Sequence, residues 1–305
     1  MKKVIVTTSI NAPTEAIEKF DALADWSLVV VGDRKTPQGY HLKRGVYVSP
    51  EEQEQYDPEL SQAIGWNCIQ RRNFGLLWAH EMGADIVAVI DDDNIPYEGW
   101  GTNLLIETTT EVNYFETKLP SFDPIGATNH KNIWHRGYPL QLVPKRDYSR
   151  NSKKQMNFDV QADFWNGDPD IDAVCRMIYS PECKFDPAHF PIAANKIAPF
   201  NSQNTILKGK LLPDYFLFPH VGRMDDIWAA FYVQAKGAKV VFNKPSVYQQ
   251  RNEHNLVVDM KREYIGYENN LEIVEKIAKD PESILAYLPE ASKQAFKIYR
   301  RHFHA

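Results

Sequence analysis

The sequence predicts an α/β fold built on a mostly parallel, twisted sheet flanked by helices. Short, continuously apolar runs at Val4–Thr7, Leu28–Val31 and Ile86–Ile90 read as strands buried on both faces. Helical patterns alternate with these runs. Two of the runs end in acidic residues, Gly32-Asp33 and Asp91-Asp92-Asp93, the position beyond strand carboxyl ends where such sheets collect ligands.

Taken in order, Val4–Thr7 opens the sheet. Thr14–Ala24 follows Pro13 and carries Ile17, Phe20 and Leu23 at helical spacing. Leu28–Val31 is the second strand. Residues 34–60 are polar and punctuated by Pro37, Gly39, Pro50 and Pro58, which predicts a long loop with little regular structure. Ser61–Met82 has a helical pattern with an interruption near Gly65, Gly83 ends it, and Ile86–Ile90 is the third strand. Residues 112–222 are rich in Pro, Asn, Asp and aromatics, which predicts short strands and long functional loops. Asp225–Lys236 reads as a helix ended by Gly237, Lys239–Phe242 as a late strand, and Tyr264–Lys279 and Glu290–His302 as helices. The expected organisation is one domain over residues 1–260 and a C-terminal helical extension over 261–305.

Composition narrows the function classes. Of the 305 residues, 43% are apolar and 25% charged, which are globular values. The net charge of −5 and the scattered Lys and Arg argue against nucleic acid as a partner. No apolar run reaches the ~20 residues of a spanning helix. The apolar run after Met1-Lys2-Lys3 is too short for a signal-peptide core, so the expected location is the cytoplasm. Cys68, Cys175 and Cys183 form no CxxC pair, which argues against zinc and reads as buried thiols in a reducing compartment. The sequence leaves room for an oligomer.

Several polar clusters could carry chemistry. Three adjacent carboxylates at a strand end repel one another unless a cation compensates. Hard divalent ions such as Mn²⁺ or Mg²⁺ suit carboxylate and phosphate oxygens. Asp91 and Asp93 share a face of an extended chain and are the expected metal ligands, while Asp91 and Asp92 are also candidates for donor contacts. The Asp33 carboxylate could accept a base N–H, or simply sit in a Gly-Asp turn. Arg71, Arg72 and Asn73 lie together on the Ser61–Met82 pattern, where a guanidinium could clamp a diphosphate. Arg223, Asp225 and Asp226 open a helix. An aspartate there can cap the helix or take a proton from an acceptor hydroxyl, and Asp226 is favoured as the base over Asp225. His254 is a candidate third metal ligand. Asp168, Asp170 and Asp172 alternate, but lack the glycine and terminal glutamate of an EF-hand loop.

Six motifs in order then carry a resemblance: Val-Val-Gly-Asp at 30–33, Arg-Asn-Phe-Gly at 72–75, Ile-Asp-Asp-Asp at 90–93, Arg-Gly-Tyr-Pro at 136–139, Asp-Ile-Asp-Ala at 170–173 and Gly-Arg-Met-Asp-Asp-Ile-Trp at 222–228. The chain resembles GT-A nucleotide-sugar glycosyltransferases, and within them the reversibly glycosylated polypeptide (UDP-arabinopyranose mutase) family and STELLO-type proteins. The resemblance implies a UDP-sugar or similar donor, with Mn²⁺ or Mg²⁺ bridging its diphosphate to the Asp91–Asp93 motif, and a glycan or other hydroxyl acceptor. It places Asp33 at the base, Arg72 near the phosphates, Arg136 and Arg223 among the donor contacts, and the 225–226 pair toward the acceptor. In the mutase family an arginine a few residues after Arg-Gly-Tyr-Pro carries the sugar. Val143 holds that position here, which favours transfer to a separate acceptor over a mutase. A catalytically silent sugar-nucleotide scaffold is the remaining alternative.

Overall fold

The computed structural model describes residues 1–250 and 255–303. The chain begins with β1 (Lys3–Thr8), whose Val4, Ile5 and Val6 are fully buried. Helix α1 (Glu15–Asp21) follows, with the Thr14 hydroxyl accepting from the Ile17 amide as an N-cap. Next come β2 (Ser27–Val31) and β3 (Val46–Val48).

Residues 34–60 depart from the loop expected of them, because they also hold the helix α2 (Pro50–Tyr56) and the start of α3 (Pro58–Ile64). The prolines that suggested irregular chain instead occupy first helical turns, where a missing N–H costs nothing. Ser49 and Glu52 form a reciprocal capping box, and Asp57 caps α3. The interruption near Gly65 is real. Gly65 has φ +81°, which terminates α3, and the chain resumes as a 3₁₀ turn (Ile69–Arg71) and then α4 (Arg72–Glu81). Gly75 lets α4 approach β1, since a Cβ there would lie 2.4 Å from Val6 Cγ1.

The sheet continues with β4 (Ile86–Ile90), buried throughout, and β5 (Asn94–Pro96). The middle of the chain has the expected short strands and loops: β6 (Thr110–Phe115), β7 (Asn151–Met156), β8 (Val160–Gly167), α5 (Ala173–Tyr179), β9 (Ile192–Ala194) and β10 (Asn204–Lys208). Then follow α6 (Asp225–Ala235), β11 (Val240–Gln249), α7 (Leu256–Ile277) and α8 (Glu290–Arg301).

Among the described residues the strands form one sheet, ordered β3-β2-β1-β4-β10-β8-β11-β9-β6-β7, with β5 paired to β11. The first four strands are parallel, as the apolar runs predict. β10 enters antiparallel to both β4 and β8, and β11 runs parallel to β8. The carboxyl ends of β4, β8 and β11 and the amino end of β10 therefore share one edge of the sheet. That edge carries the polar residues described below.

The C-terminal helices join the same core. Phe296 of α8 is 3% exposed and lies 5.3 to 5.6 Å, centroid to centroid, from Phe216, Phe218 and Tyr232. The Tyr299 hydroxyl donates to the Leu212 carbonyl at 2.9 Å. Among the described residues no helix is long and apolar enough to cross a membrane. Since α8 supplies core aromatics, Phe296→Ala should lower unfolding free energy by about 3–5 kcal/mol in urea denaturation. A loss under about 1 kcal/mol would show that α8 is not integral to the core.

Candidate functional site

At the shared sheet edge lies a cavity of about 650 Å³, lined by Asp91 and Asp93 after β4, Asp170 beyond β8, Ser202 and Gln203 before β10, and Gln249 at the end of β11. The start of α6 contributes Asp225 and Asp226, and Arg136 enters from the 116–139 loop region. Residues over a hundred positions apart meet because four strand ends converge.

Alternation at the end of β4 decides the fate of the acidic triplet. Asp91 and Asp93 face the cavity, while Asp92 turns away and accepts from the Ser9 hydroxyl at 2.6 Å and Asn11 Nδ2 at 3.3 Å. Asp91 keeps 27% of its side chain open and is bridged by Arg72 Nη2 at 2.8 Å. Burial nevertheless pushes the Asp91 carboxyl above its ordinary range, against the pull of Arg72. Asp93 accepts from Gln249 Nε2 at 3.0 Å.

The expected arginines divide. Arg72 Nη1 donates to the Ser202 carbonyl at 2.6 Å and hydroxyl at 2.9 Å, so it ties β10's approach to β4 as well as countering Asp91. Arg71 does not reach the cavity. It is fully buried, donates to Gln53 Oε1 at 2.7 Å and to Ser61, and packs 3.6 Å from the Trp66 ring centroid. Asn73 also points elsewhere, exchanging hydrogen bonds of 2.8 and 2.9 Å with the Leu217 backbone. Both are neighbours of Arg72 in sequence, but a helix sends consecutive side chains about 100° apart. Arg223 lines the cavity with its guanidinium held by Glu263 at 2.9 Å and Asp259 at 3.4 Å on α7. Asp33 is 5% exposed and accepts from the amides of Arg34, Asn67 and Cys68, so it anchors the 65–70 loop that walls the cavity. His254 lies outside the described residues.

The aspartate pair on α6 is asymmetric. Arg136 spans two carboxylates: its Nε and Nη2 reach the Asp170 oxygens at 2.8 and 2.9 Å, and its Nη1 and Nη2 reach Asp226 at 2.9 and 3.0 Å. Asp226 also accepts from the Ser202 amide at 3.0 Å. Burial would lower the guanidinium's pKa, but the two aspartates hold it well above the usual value. Asp225 has a neutral hydrogen-bond partner instead. It accepts from Gln70 Nε2 at 2.8 Å, and burial plus the neighbouring Asp226 charge push it up to about 7. Asp226, favoured from the sequence as the base, is thus paired with Arg136, whereas Asp225 is held by a neutral amide.

Several cavity residues escaped the sequence reading. Gln70, Ser202, Gln203 and Gln249 are uncharged and aperiodic. The polar run Asn201-Ser202-Gln203-Asn204 just before the apolar part of β10 was the one available signal. The alternating aspartates also have structural roles. Asp170 pairs with Arg136, Asp168 with Arg176 at 2.6 Å, and Asp172 caps α5. The three cysteines are free thiols. Burial raises Cys68 to about 11 and Cys175 and Cys183 to about 12, which leaves them inert at neutral pH.

These features define a mixed α/β fold with a carboxylate- and arginine-lined cavity at the sheet edge. The resemblance read from the sequence holds in comparison with known proteins. The chain is 24% identical over 225 residues to probable glycosyltransferase STELLO2 of Arabidopsis thaliana and 23% identical to probable glycosyltransferase STELLO1 of the same plant. Each match covers 67% of this chain and 29% of the relative, so the chain spans under a third of those proteins. No family model matches. Among solved structures, glucosyl-3-phosphoglycerate synthase from Mycobacterium tuberculosis in complex with uridine-diphosphate is 13% identical with a TM-score of 0.48, covering 89% of this chain and 80% of that one. The same enzyme with Mn²⁺, UDP-glucose and phosphoglyceric acid scores 0.46 at the same coverage.

Because Arg136 neutralises two buried carboxylates, Arg136→Met should destabilise by about 3–5 kcal/mol. Adding Asp226→Asn should recover part of that loss in chemical denaturation. If the double variant is no more stable than the single one, the Arg136–Asp226 contact is energetically idle.

Proposed function

We propose that residues 1–260 form the catalytic unit of a metal-dependent glycosyltransferase that moves a sugar from a nucleotide diphosphate donor, a UDP-sugar by resemblance, to an acceptor hydroxyl. In this reading residues 261–305 are a helical extension that braces the unit. The observation that carries it is the convergence of Asp91, Asp93, Asp225 and Asp226 on one cavity, in a chain similar to probable glycosyltransferases. Val143, where the mutase resemblance would need an arginine, is apolar and packs against the core, which supports a separate acceptor.

The donor set fits a hard divalent ion. Asp91 and Asp93 present carboxylate oxygens to one cavity, and a single arginine offsets Asp91. Among the described residues no cluster of three His, Cys, Asp or Glu completes a protein-only site, and a nucleotide diphosphate would supply the remaining oxygens. When bound, Mn²⁺ or Mg²⁺ would neutralise charge that develops on the leaving diphosphate.

The protein's own contribution follows from the asymmetric aspartates. Asp225 takes the proton of the acceptor hydroxyl as that oxygen attacks the anomeric carbon and the bond from that carbon to the diphosphate oxygen breaks, releasing the nucleoside diphosphate with the electron pair. Asp226, fixed by Arg136 and Ser202, lies beside Asp225, and the interaction between the two carboxylates raises the basicity of Asp225. Gln70 orients the Asp225 carboxylate through its one hydrogen bond.

Nucleotide sugars should stabilise the purified chain in a thermal-shift screen with Mn²⁺, by about 2.7 kcal/mol when the donor is at a hundred times its Kd. Asp93→Ala should remove the metal-dependent part of that gain. Absence of stabilisation by every nucleotide sugar would overturn the donor assignment.

Asp225→Asn should lower transfer at least ~10²-fold while donor binding survives. In the unsubstituted enzyme kcat/KM should climb as pH rises through about 7. The folded pKa lies above the unfolded one, so the fold holds this proton longer, and Asp225 costs stability increasingly as pH rises from about 4 to about 7. Asp225→Asn should therefore melt higher than the parent at pH 8, with the gap closing toward pH 4. A variant equal in rate to the parent would place proton removal elsewhere.

A further inference from the structure

A second cavity of about 590 Å³ lies on the other side of the β5–β11 ladder. Its floor is formed by Gln161 and Asp163 of β8, one wall by Asn243–Ser246 of β11, and the other by the Tyr97–Asn103 segment. The wall from β11 exists because the β8–β11 register shifts between Asn243 and Val247, where Pro245 cannot donate to the ladder. The strands separate at that bulge and leave room for a ligand.

The lining has a consistent chemistry. Asp163 is 5% exposed and accepts from Gln161 Nε2 at 2.7 Å and Asn243 Nδ2 at 3.0 Å. Gln161 Oε1 in turn accepts from the Leu105 amide at 2.7 Å. Asn166 accepts from the Phe185 amide at 2.9 Å and donates to the Tyr97 hydroxyl at 3.1 Å, while the Tyr97 ring stays 38% exposed. Each amide is held rigid by one or two internal bonds and retains a further donor or acceptor. Fixed amides, a carboxylate and an exposed aromatic ring suit a ligand that is polar, neutral and rich in hydroxyls. Asp163 and Glu98 outnumber Lys244, the one lysine of the lining, so a phosphate or nucleotide is disfavoured.

Position adds to the argument. Asp93 of the first cavity and Tyr97 of the second are four residues apart along extended chain, at most about 14 Å. A short oligosaccharide spans that distance.

We propose that this groove binds a neutral saccharide, holding the non-reacting part of a glycan whose end reaches the Asp91–Asp93 cavity. The extension to an acceptor rests on the glycosyltransferase reading, while saccharide binding itself does not.

The test is saturation-transfer NMR on the whole chain with neutral tetrasaccharides of glucose, mannose, galactose, xylose or arabinose, and with tetragalacturonate as an anionic control. At least one neutral tetrasaccharide should bind at millimolar concentration, and tetragalacturonate at least tenfold more weakly. Tyr97→Ala and Asn243→Ser, each checked for an unchanged melting temperature, should weaken binding at least tenfold and leave UDP binding with Mn²⁺ unaltered. Addition of UDP and Mn²⁺ to the unsubstituted protein should not displace the saccharide. Should no neutral tetrasaccharide bind, should the anionic one bind more tightly, or should UDP displace the sugar, the groove assignment fails. That competition needs no variant, so misfolding cannot mask the outcome. Failure of UDP to bind would count instead against the donor site and leave the groove standing. If saccharide binds but does not accept sugar from any donor, the groove serves a glycan other than the acceptor, and the acceptor part of the proposal is overturned.

Discussion

The bridge from Arg136 to Asp170 and Asp226 is the interaction on which the rest of the site depends. It joins the loop that carries Arg136, the chain just beyond β8 and the first turn of α6, and it reinforces the backbone bridge that the Arg136 amide makes to the Asp170 carbonyl at 3.0 Å. Taking one guanidinium and two carboxylates out of water is expensive, and only mutual pairing with full hydrogen bonding makes it tolerable. Four donations from one planar fork satisfy that condition. The Arg136–Asp226 bond also places Asp226 against Ser202, and Ser202 against Arg72, so one continuous network runs from α6 to the Asp91 carboxylate.

Charge balance across the cavity follows from that network. Five aspartates line it, Asp91, Asp93, Asp170, Asp225 and Asp226, against three arginines, Arg136, Arg223 and Arg262, and Arg223 is itself held by Glu263 and Asp259, while Arg72 adds a pairing to Asp91 from behind. A cavity with surplus carboxylate charge repels a diphosphate by itself and attracts a divalent cation. The same surplus raises Asp91 and Asp225 above ordinary carboxylates. Under the proposed function, a metal site and a base active near neutral pH would have a common origin in these clustered acids.

The sheet and the acidic strand ends were legible in the sequence because they are local. Val4–Val6, Val29–Val31 and Val87–Ile90 are runs that only a doubly covered strand can hide, and Asp91-Asp92-Asp93 announces itself. Pro50 and Pro58 misled because a proline reads as a breaker until the caps before it, Ser49 and Asp57, are given weight. The roles of Arg71, Arg72 and Asn73 were not legible, since three adjacent polar residues differ by helical phase, and the break at Gly65 sets that phase. Nor could adjacency rank Asp225 and Asp226: the partner that separates them, Arg136, lies ninety residues away.

That last point limits what a motif can convey. Gly-Arg-Met-Asp-Asp contains two chemically identical side chains at a helix start, where both gain from the helix dipole. Their difference is imposed from outside, by a guanidinium on one and a neutral amide on the other. A neutral amide on Asp225 leaves burial and the neighbouring charge to raise its pKa. Two equal acids thereby acquire different surroundings, one ion-paired and one held by an amide. The amide-held one faces Gln70 on the 65–70 loop, whose position depends on Asp33 accepting the Asn67 and Cys68 amides. Asp33, which the sequence offered either as a base-recognition residue or as part of a Gly-Asp turn, is seen here anchoring the loop that carries Gln70.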